Sequence, residues 1–246
     1  MDAFVNATLP IPATTSAATS ASPIPMDRVN ELYRGEIFTE ESARIARDRV
    51  HWMCAQCDGD SVLDVGCSQG ITAILLAREG LQVTAIDTHP ESIAFARNEF
   101  ARETPLVQRR LTLIETDLAS LADEVAYDNI VLGEVLEHQA LPERFLRRAA
   151  SLVKPGGKLI ITTPFALYPH PDHKISVLPR HLIEMAAGIG LQVVHLDVLD
   201  PYIRCVLVRP LSGTTARAFD IDLLRLTERA TLKSQQRLFD QIGERS

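Results

Sequence analysis

Short apolar runs alternate with stretches of helical periodicity through most of the chain. The apolar runs predict strands at residues 61–66, 81–87, 111–117, 127–134, 158–164, 191–198 and 203–209. The periodic stretches predict helices at residues 71–80, 90–103, 142–153 and 179–190, and a further helix that begins after Thr39. Nearly continuous apolar strands separated by helices indicate an α/β fold, in which helices cover both faces of a parallel sheet.

The two ends of the chain do not follow this alternation. Residues 1–25 are rich in Ala, Thr, Ser and Pro and nearly uncharged, so we predict that they are disordered and carry no secretory signal. Residues 222–242 combine leucines at helical spacings with charges of both signs, which predicts a helix that packs on the domain or joins two copies of the chain. We therefore predict a disordered segment, a domain with a leading lid helix at residues 26–210, and a helical tail at residues 211–246.

The overall composition narrows the range of partners. No apolar run approaches the ~20 residues that a membrane-spanning helix needs, so we expect no membrane contact and a cytoplasmic protein. The formal net charge of −7 disfavours broad binding to nucleic-acid phosphates, so we expect a small-molecule partner. The four cysteines are too few for a disulfide scaffold, and the single C-x-x-C pair lacks the second pair of a zinc site.

The segment VLDVGCSQG, residues 62–70, carries the strongest chemical signal. A predicted strand ends at Gly66, and a short loop that ends at Gly70 leads into the next helix, so the backbone can turn sharply and approach a ligand closely. The N–H groups at the start of that helix favour a carboxylate. Ser68 breaks the G-x-G-x-x-G pattern of dinucleotide sites, and Asp64 can receive an ammonium group. The loop therefore predicts a ligand with an amino-acid end rather than a pyrophosphate.

Acidic residues stand at the ends of the next predicted strands. Asp87 lies about 20 residues beyond the loop, where an acid can accept both hydroxyls of a ribose. Asp117 and Leu118 follow the third strand and can offer a carboxylate to an adenine amino group and an aliphatic face to its ring. One such acid is often only a helix cap, but three at successive strand ends predict a nucleoside site, because ligands bind beyond the carboxyl ends of parallel strands.

Taken in order, these motifs resemble those of the class I S-adenosylmethionine-dependent methyltransferases over roughly residues 38–210. The matching stretches are VLDVGCSQG, AID, ETDL, YDNIVLGEVLEH and LVKPGGKLIITTP. The resemblance implies a Rossmann-like seven-stranded sheet of order 3-2-1-4-5-7-6 with strand 7 antiparallel, and S-adenosyl-L-methionine as the cofactor. It assigns cofactor-binding roles to Asp64, Gly66, Cys67, Ser68, Gly70, Asp87, Thr88, Asp117, Leu118 and Glu134. Ser68 departs from the glycine that the family more often has there.

The segment GEVLEH suggests a second site next to the cofactor. Its E-x-x-E-H spacing is shared with ubiquinone-pathway and small-RNA O-methyltransferases, in which it resembles a divalent-metal site. A helix that starts here would place Glu134 and Glu137 on one face with His138 beside them. A further ligand, His170 or His173, follows the fifth strand, so we expect Glu134, Glu137, His138 and His173 to bind Mg²⁺, Mn²⁺ or Zn²⁺.

Two simpler interpretations of the E-x-x-E-H segment stay open. The glutamates complement the dipole of a helix start whether or not a metal binds. Alternatively, Glu137, His138 and His173 are catalytic without a metal, with a histidine as the general base that removes a hydroxyl proton.

These features together predict an O-methyltransferase that acts on a small hydroxylated acceptor, such as a sugar, a glycan end or a phenolic metabolite. One alternative is 2′-O-methylation of an RNA end, which shares the E-x-x-E-H pattern but fits the acidic charge poorly. The other is a non-catalytic, cofactor-binding scaffold that acts through residues 222–242.

Overall fold

A computed structural model of the protein describes residues 27–122, 125–165, 172–199 and 202–211, and single positions of the tail at 225, 226, 229, 231–233, 236 and 240. The segment predicted to be disordered, residues 1–25, lies outside the described residues, as does most of the tail. The described tail positions are helical, and Leu226 packs against the core. The division into three parts and the association through the tail stay predictions.

Seven strands form one sheet. They are β1 (Ser61–Val65), β2 (Gln82–Asp87), β3 (Leu111–Glu115), β4 (Tyr127–Gly133), β5 (Val153–Pro164), β6 (Gln192–Leu199) and β7 (Tyr202–Val208). Their order across the sheet is β3-β2-β1-β4-β5-β7-β6. Strands β1 to β5 pair in parallel, whereas β7 runs antiparallel between β5 and β6. The predicted strand order and the predicted orientation of strand 7 are therefore confirmed.

Seven α-helices surround the sheet in the described part of the chain. They are α1 (Val29–Arg34), α2 (Glu40–Gln56), α3 (Ile71–Arg78), α4 (Pro90–Phe100), α5 (Pro105–Gln108), α6 (Pro142–Leu152) and α7 (Pro179–Gly188). Thr39 caps α2, since its hydroxyl accepts a hydrogen bond from the backbone N–H of Ser42 at 3.1 Å. The sequence pattern did not predict α1 or α5, because six and four residues are too short to show a helical period. Among the described residues, no helix has both the length and the apolar character to cross a membrane.

The hydrophobic core has two halves, one on each face of the sheet. Leu63 and Leu132 belong to the half that packs with α6 and α7, whereas Val62 and Val131 belong to the half that packs with α2 and α3. Successive residues of a strand point to opposite faces, so a strand covered on both sides is apolar at nearly every position. This explains the continuous apolar runs of the sequence.

The segment Pro155-Gly156-Gly157 lies inside a strand rather than between a helix and a strand. Helix α6 already ends at Leu152, and β5 begins at the next residue. The register of β4 against β5 shifts here, and a Cβ on Gly157 would lie 2.6 Å from the carbonyl oxygen of Asp128. The glycine is therefore needed because the neighbouring backbone comes so close.

Candidate active site

The turn between β1 and α3 lies against two neighbouring strand ends. Gly66 and Gly70 adopt left-handed backbone angles, with φ of 68° and 85°. The N–H groups of Gly66 and Cys67 both donate to the carbonyl of Ile86 on β2, at 2.8 and 3.0 Å. A Cβ on Gly66 would lie 2.8 Å from the side chain of Val135, which follows β4. The turn is thus held to β2 and packed against the segment after β4, with no room for a larger residue at 66.

Asp87 joins this turn to the end of β2. Its carboxylate is buried and accepts hydrogen bonds from the backbone N–H groups of Ser68 and His89, both at 2.9 Å. Ser68 itself has a left-handed φ of 47°, so this bond holds a strained residue in place. A carboxylate has about four acceptor positions, so Asp87 can still bind ribose hydroxyls while it supports the turn.

The other predicted nucleoside-binding residues also lie at the carboxyl edge of the sheet, after β2 and β3. Thr88 and Asp117 are exposed, and Asp117 accepts the backbone N–H of Ser120 at 2.7 Å, which lowers the pKa of its carboxyl. Leu118 is only 3% exposed and packs in the core, so it presents little surface to a ligand in this arrangement. The roles of all three residues stay predictions.

In the described part of the chain, Asp64 is a buried carboxyl group that lacks the cation with which it could form an ion pair. The residue is 3% exposed, and its Oδ2 has no hydrogen-bond partner among the described residues. Burial, reinforced by the nearby Asp87, raises the pKa of Asp64 to about 7. An ammonium group would supply the missing donor and the missing positive charge. The turn therefore fits a cofactor that ends in an amino acid.

Helix α1 contacts the turn directly. The backbone N–H of Asn30 donates to Oε1 of Gln69 at 2.7 Å, and Nδ2 of Asn30 donates to the carbonyl of Gln69 at 3.0 Å. An ion pair between Arg34 and Glu99 ties the same helix to α4. The sequence predicted a lid from the helix after Thr39, but the hydrogen bonds to the turn come from the shorter α1.

The E-x-x-E-H segment does not start an α-helix. Glu134 takes a left-handed φ of 59°, and Leu136–His138 form a single 3₁₀ turn before α6. The two glutamates consequently point to different partners rather than lying on one helix face as predicted. Glu134 lies 3.3 Å from the guanidinium of Arg49, whereas Glu137 accepts the hydroxyl of Thr163 at 2.9 Å.

Glu137, His138 and His173 form a compact group at the ends of β4 and β5. One carboxylate oxygen and one ring nitrogen from each histidine all lie within 4.8 Å of one another. The two imidazole rings meet edge to face, with centroids 5.0 Å apart. The carbonyl of Glu137 accepts the backbone N–H of Lys174 at 2.8 Å, which holds the loop after β5 against the 3₁₀ turn.

Two other predicted ligands are not among these three residues. Glu134 is not part of it and points towards Arg49 instead. His170 lies outside the described residues. Among the described residues, the structure thus brings together three of the four residues that the sequence predicted as metal ligands.

Arg49 is a buried cation in the site that the sequence reasoning missed. It is 7% exposed, and its guanidinium lies 5.1 Å from the ring centroid of Tyr202 as well as beside Glu134. Burial raises the pKa values of Glu134 and Glu137 above the usual carboxyl range, and the charge of Arg49 opposes that shift. A signal was present: Arg49 stands among the buried residues of α2, on an otherwise apolar helix face.

A cleft of about 880 Å³ opens between α6 and α7. Its lining includes Ile175 and Ser176, which follow His173 by two and three residues. It includes none of the residues of the turn between β1 and α3, residues 66–70, which we call the cofactor turn. The cleft is therefore separate from the turn and adjoins the loop that carries His173.

Comparison with known proteins supports a methyltransferase. A family model described as a methyltransferase domain matches residues 63–159. The ubiquinone biosynthesis O-methyltransferase of Xanthomonas oryzae pv. oryzae (strain PXO99A) is 39% identical over 117 residues, which are 47% of this chain and 48% of that protein. The chain thus spans about half the length of the curated relative that it matches.

Solved structures extend the similarity to a larger part of the chain. The magnesium protoporphyrin IX methyltransferase of Synechocystis PCC 6803 has a TM-score of 0.57 at 21% identity and covers 73% of this chain and 88% of that one. A cyclase, SpnF, has a TM-score of 0.61 at 18% identity, with 72% and 84% covered. At such identities the similarity concerns the fold alone. The family-model match over residues 63–159 and the strand order with β7 antiparallel together make this chain similar to the class I S-adenosylmethionine-dependent methyltransferases.

Proposed function

We propose that the protein is an S-adenosylmethionine-dependent O-methyltransferase whose acceptor hydroxyl is activated by Glu137, His138 and His173. The observation that carries this proposal is the meeting of these three side chains, within 4.8 Å, at the ends of β4 and β5. Strand β4 is the neighbour of β1, and Val135 packs against Gly66 of the cofactor turn. A proton-accepting group therefore lies next to the turn that would hold the cofactor.

The chain's own residues supply binding, orientation and proton transfer. Asp64 would accept the ammonium group of the cofactor, and Asp87 its ribose hydroxyls. When bound, S-adenosylmethionine supplies a methyl group that its positive sulfur makes electrophilic. A hydroxyl is a poor nucleophile until it loses its proton, and His138 or His173 can take that proton as a general base. Such general-base assistance contributes roughly 10²–10⁴-fold, and alignment of the reacting groups contributes more.

A divalent metal is a second way for the same group to activate the hydroxyl. Glu137, His138 and His173 offer one carboxylate oxygen and two imidazole nitrogens, a set that suits Mn²⁺ or Zn²⁺ better than Mg²⁺. Oε1 of Glu137 is buried without a hydrogen-bond partner in the described part of the chain, as expected for an atom that binds a cation. These three residues would hold the metal, which would supply Lewis-acid chemistry by lowering the pKa of an acceptor hydroxyl.

For the acceptor we favour a phenolic metabolite over a sugar or an RNA end. The relatives that support oxygen as the methylated atom are named for ubiquinone biosynthesis, although the matched segment is only about half of each chain. The net charge of −7 disfavours a long phosphate backbone as partner. The fold alone does not decide the reaction, since a protein named as a cyclase shares it.

The test is methyl transfer from labelled cofactor to phenols, sugars and short RNAs, each with and without a chelator. We expect label in an ether of a phenolic acceptor, identified by mass spectrometry. Loss of transfer with chelator, and its return with Mn²⁺ or Zn²⁺, would favour the metal over the unassisted histidine. Binding of S-adenosylhomocysteine with no transfer to any acceptor would instead favour a non-catalytic scaffold, and label in RNA alone would contradict the small-molecule acceptor.

A further inference from the structure

Asn30 and Gln69 form a buried pair that leaves one donor and one acceptor unused. Both residues are 0% exposed and are joined by the two hydrogen bonds between α1 and the turn. Those bonds determine the orientation of both side-chain amides, because exchanging oxygen and nitrogen in either amide would break a bond. Oδ1 of Asn30 and Nε2 of Gln69 nevertheless have no hydrogen-bond partner among the described residues.

Further unpaired atoms belong to the same elements of the fold. Ten buried side-chain atoms lack a partner in the described part of the chain, and five of them belong to β1, its turn or α1. Three of these five are oxygens that act as acceptors when the two carboxyl groups are ionised: Oδ2 of Asp64, Oδ1 of Asn30 and Oε2 of Glu31. Glu31 also lies close to Gln69. Burial raises the pKa of the Glu31 carboxyl, but hydrogen bonding, including that from the Gln69 side chain, lowers it below its ordinary value.

We propose that Asn30 and Glu31 of α1, together with Asp64, bind the α-ammonium group of the cofactor, so that α1 is part of the cofactor site. An ammonium group has three N–H donors, which match three unpaired acceptors. The acceptors are also negatively charged or dipolar, so they favour a cation over the cofactor's carboxylate. Leaving buried acceptors unpaired is costly, and a ligand that pairs them gains that free energy on binding. The inference rests on the proposed cofactor.

The test compares two ligands that differ only at the amino-acid end. S-adenosylhomocysteine carries the ammonium group, whereas 5′-methylthioadenosine shares the thionucleoside and lacks the amino acid. Calorimetry on the full chain should show that Glu31→Gln and Asn30→Ala each weaken S-adenosylhomocysteine binding by about 10-fold or more. Binding of 5′-methylthioadenosine should change by less than about 3-fold. Glu36→Gln is the matched control, because it removes the same charge from an exposed position just after α1.

The possible outcomes separate the two proposals. If the variants lose affinity for both ligands equally, α1 only covers the site. If the affinity for S-adenosylhomocysteine is unchanged, water or other atoms pair these oxygens. Either result overturns the inference. Wild-type protein that binds neither ligand would overturn the proposed cofactor itself. Glu31→Gln preserves the shape of the side chain, and a thermal melt of each ligand-free variant shows whether a loss of binding is a loss of folding.

Discussion

The cofactor turn after β1 and the E-x-x-E-H segment after β4 are neighbours that are built in different ways. The turn is a contiguous stretch whose shape comes from its own backbone, with left-handed angles at Gly66 and Gly70. The second region is assembled from side chains that arrive from α2, β5 and the loop after β5. Local conformation thus shapes the first region, and packing shapes the second.

The two regions also balance buried charge differently. Asp64 has an unpaired oxygen in the described part of the chain and a raised pKa, so its charged form needs a cation from the ligand. Glu134 has its own cation, Arg49, at 3.3 Å. We infer that the first region changes its protonation when ligand binds, whereas the Glu134 carboxyl of the second region has a cation beside it without any ligand.

The largest expected effect separates the regions by function. Glu137→Gln should lower kcat by roughly 10²–10⁴-fold, because it removes the carboxylate of the activating group, and should leave S-adenosylhomocysteine affinity within about 3-fold. Asp64→Asn should instead weaken the binding of S-adenosylhomocysteine by roughly 10-fold or more, and should change kcat at saturating cofactor by a smaller factor. Steady-state kinetics and calorimetry on both variants measure this. Similar losses of affinity in both variants would show that the two regions are one site.

A smaller effect, on stability, tests whether Arg49 balances the second region. Arg49→Met should lower the free energy of unfolding by about 3 kcal/mol, because it leaves the Glu134 carboxylate buried without its partner. Arg44→Met is the control, since the Arg44–Glu41 pair on the same helix is exposed at both ends and solvent screens its attraction, so its loss should have little effect on stability. Urea denaturation measures both values. Equal losses would mean that the buried pair contributes no more than the surface pair.

The smallest expected effect is the pH dependence of the ligand-free protein. The folded state keeps a proton on Asp64 up to about pH 7, whereas the unfolded chain loses it near the ordinary value of 3.8. The free energy of unfolding should therefore fall as pH rises through this window, by roughly 1–3 kcal/mol. The raised pKa values of Glu134 and Glu137 act in the same direction. In the Asp64→Asn variant, part of this dependence of unfolding free energy on pH should disappear. If the variant shows the same pH dependence as the wild type, the effect does not come from Asp64.

The fold and the cofactor turn were accessible from the sequence because both leave local signals. Buried strands read as apolar runs, and the residues of the turn follow one another from Asp64 to Gly70, so their spacing is visible directly. The prediction was wrong where the local signal was ambiguous. Two glutamates three positions apart suit a helix start, but the chain makes a 3₁₀ turn that sends them to different partners.

The tertiary structure alone decided which distant residues complete each region. Asn30 meets Gln69 across 39 positions, and Glu137 meets Thr163 across 26. Periodicity reports which face of a helix or strand is buried, but not which element lies opposite it, because that depends on how all the elements pack on the sheet. The sequence by itself therefore determined the sheet and its turn, and the packing of α1 and α2 decided the partners of their buried polar groups.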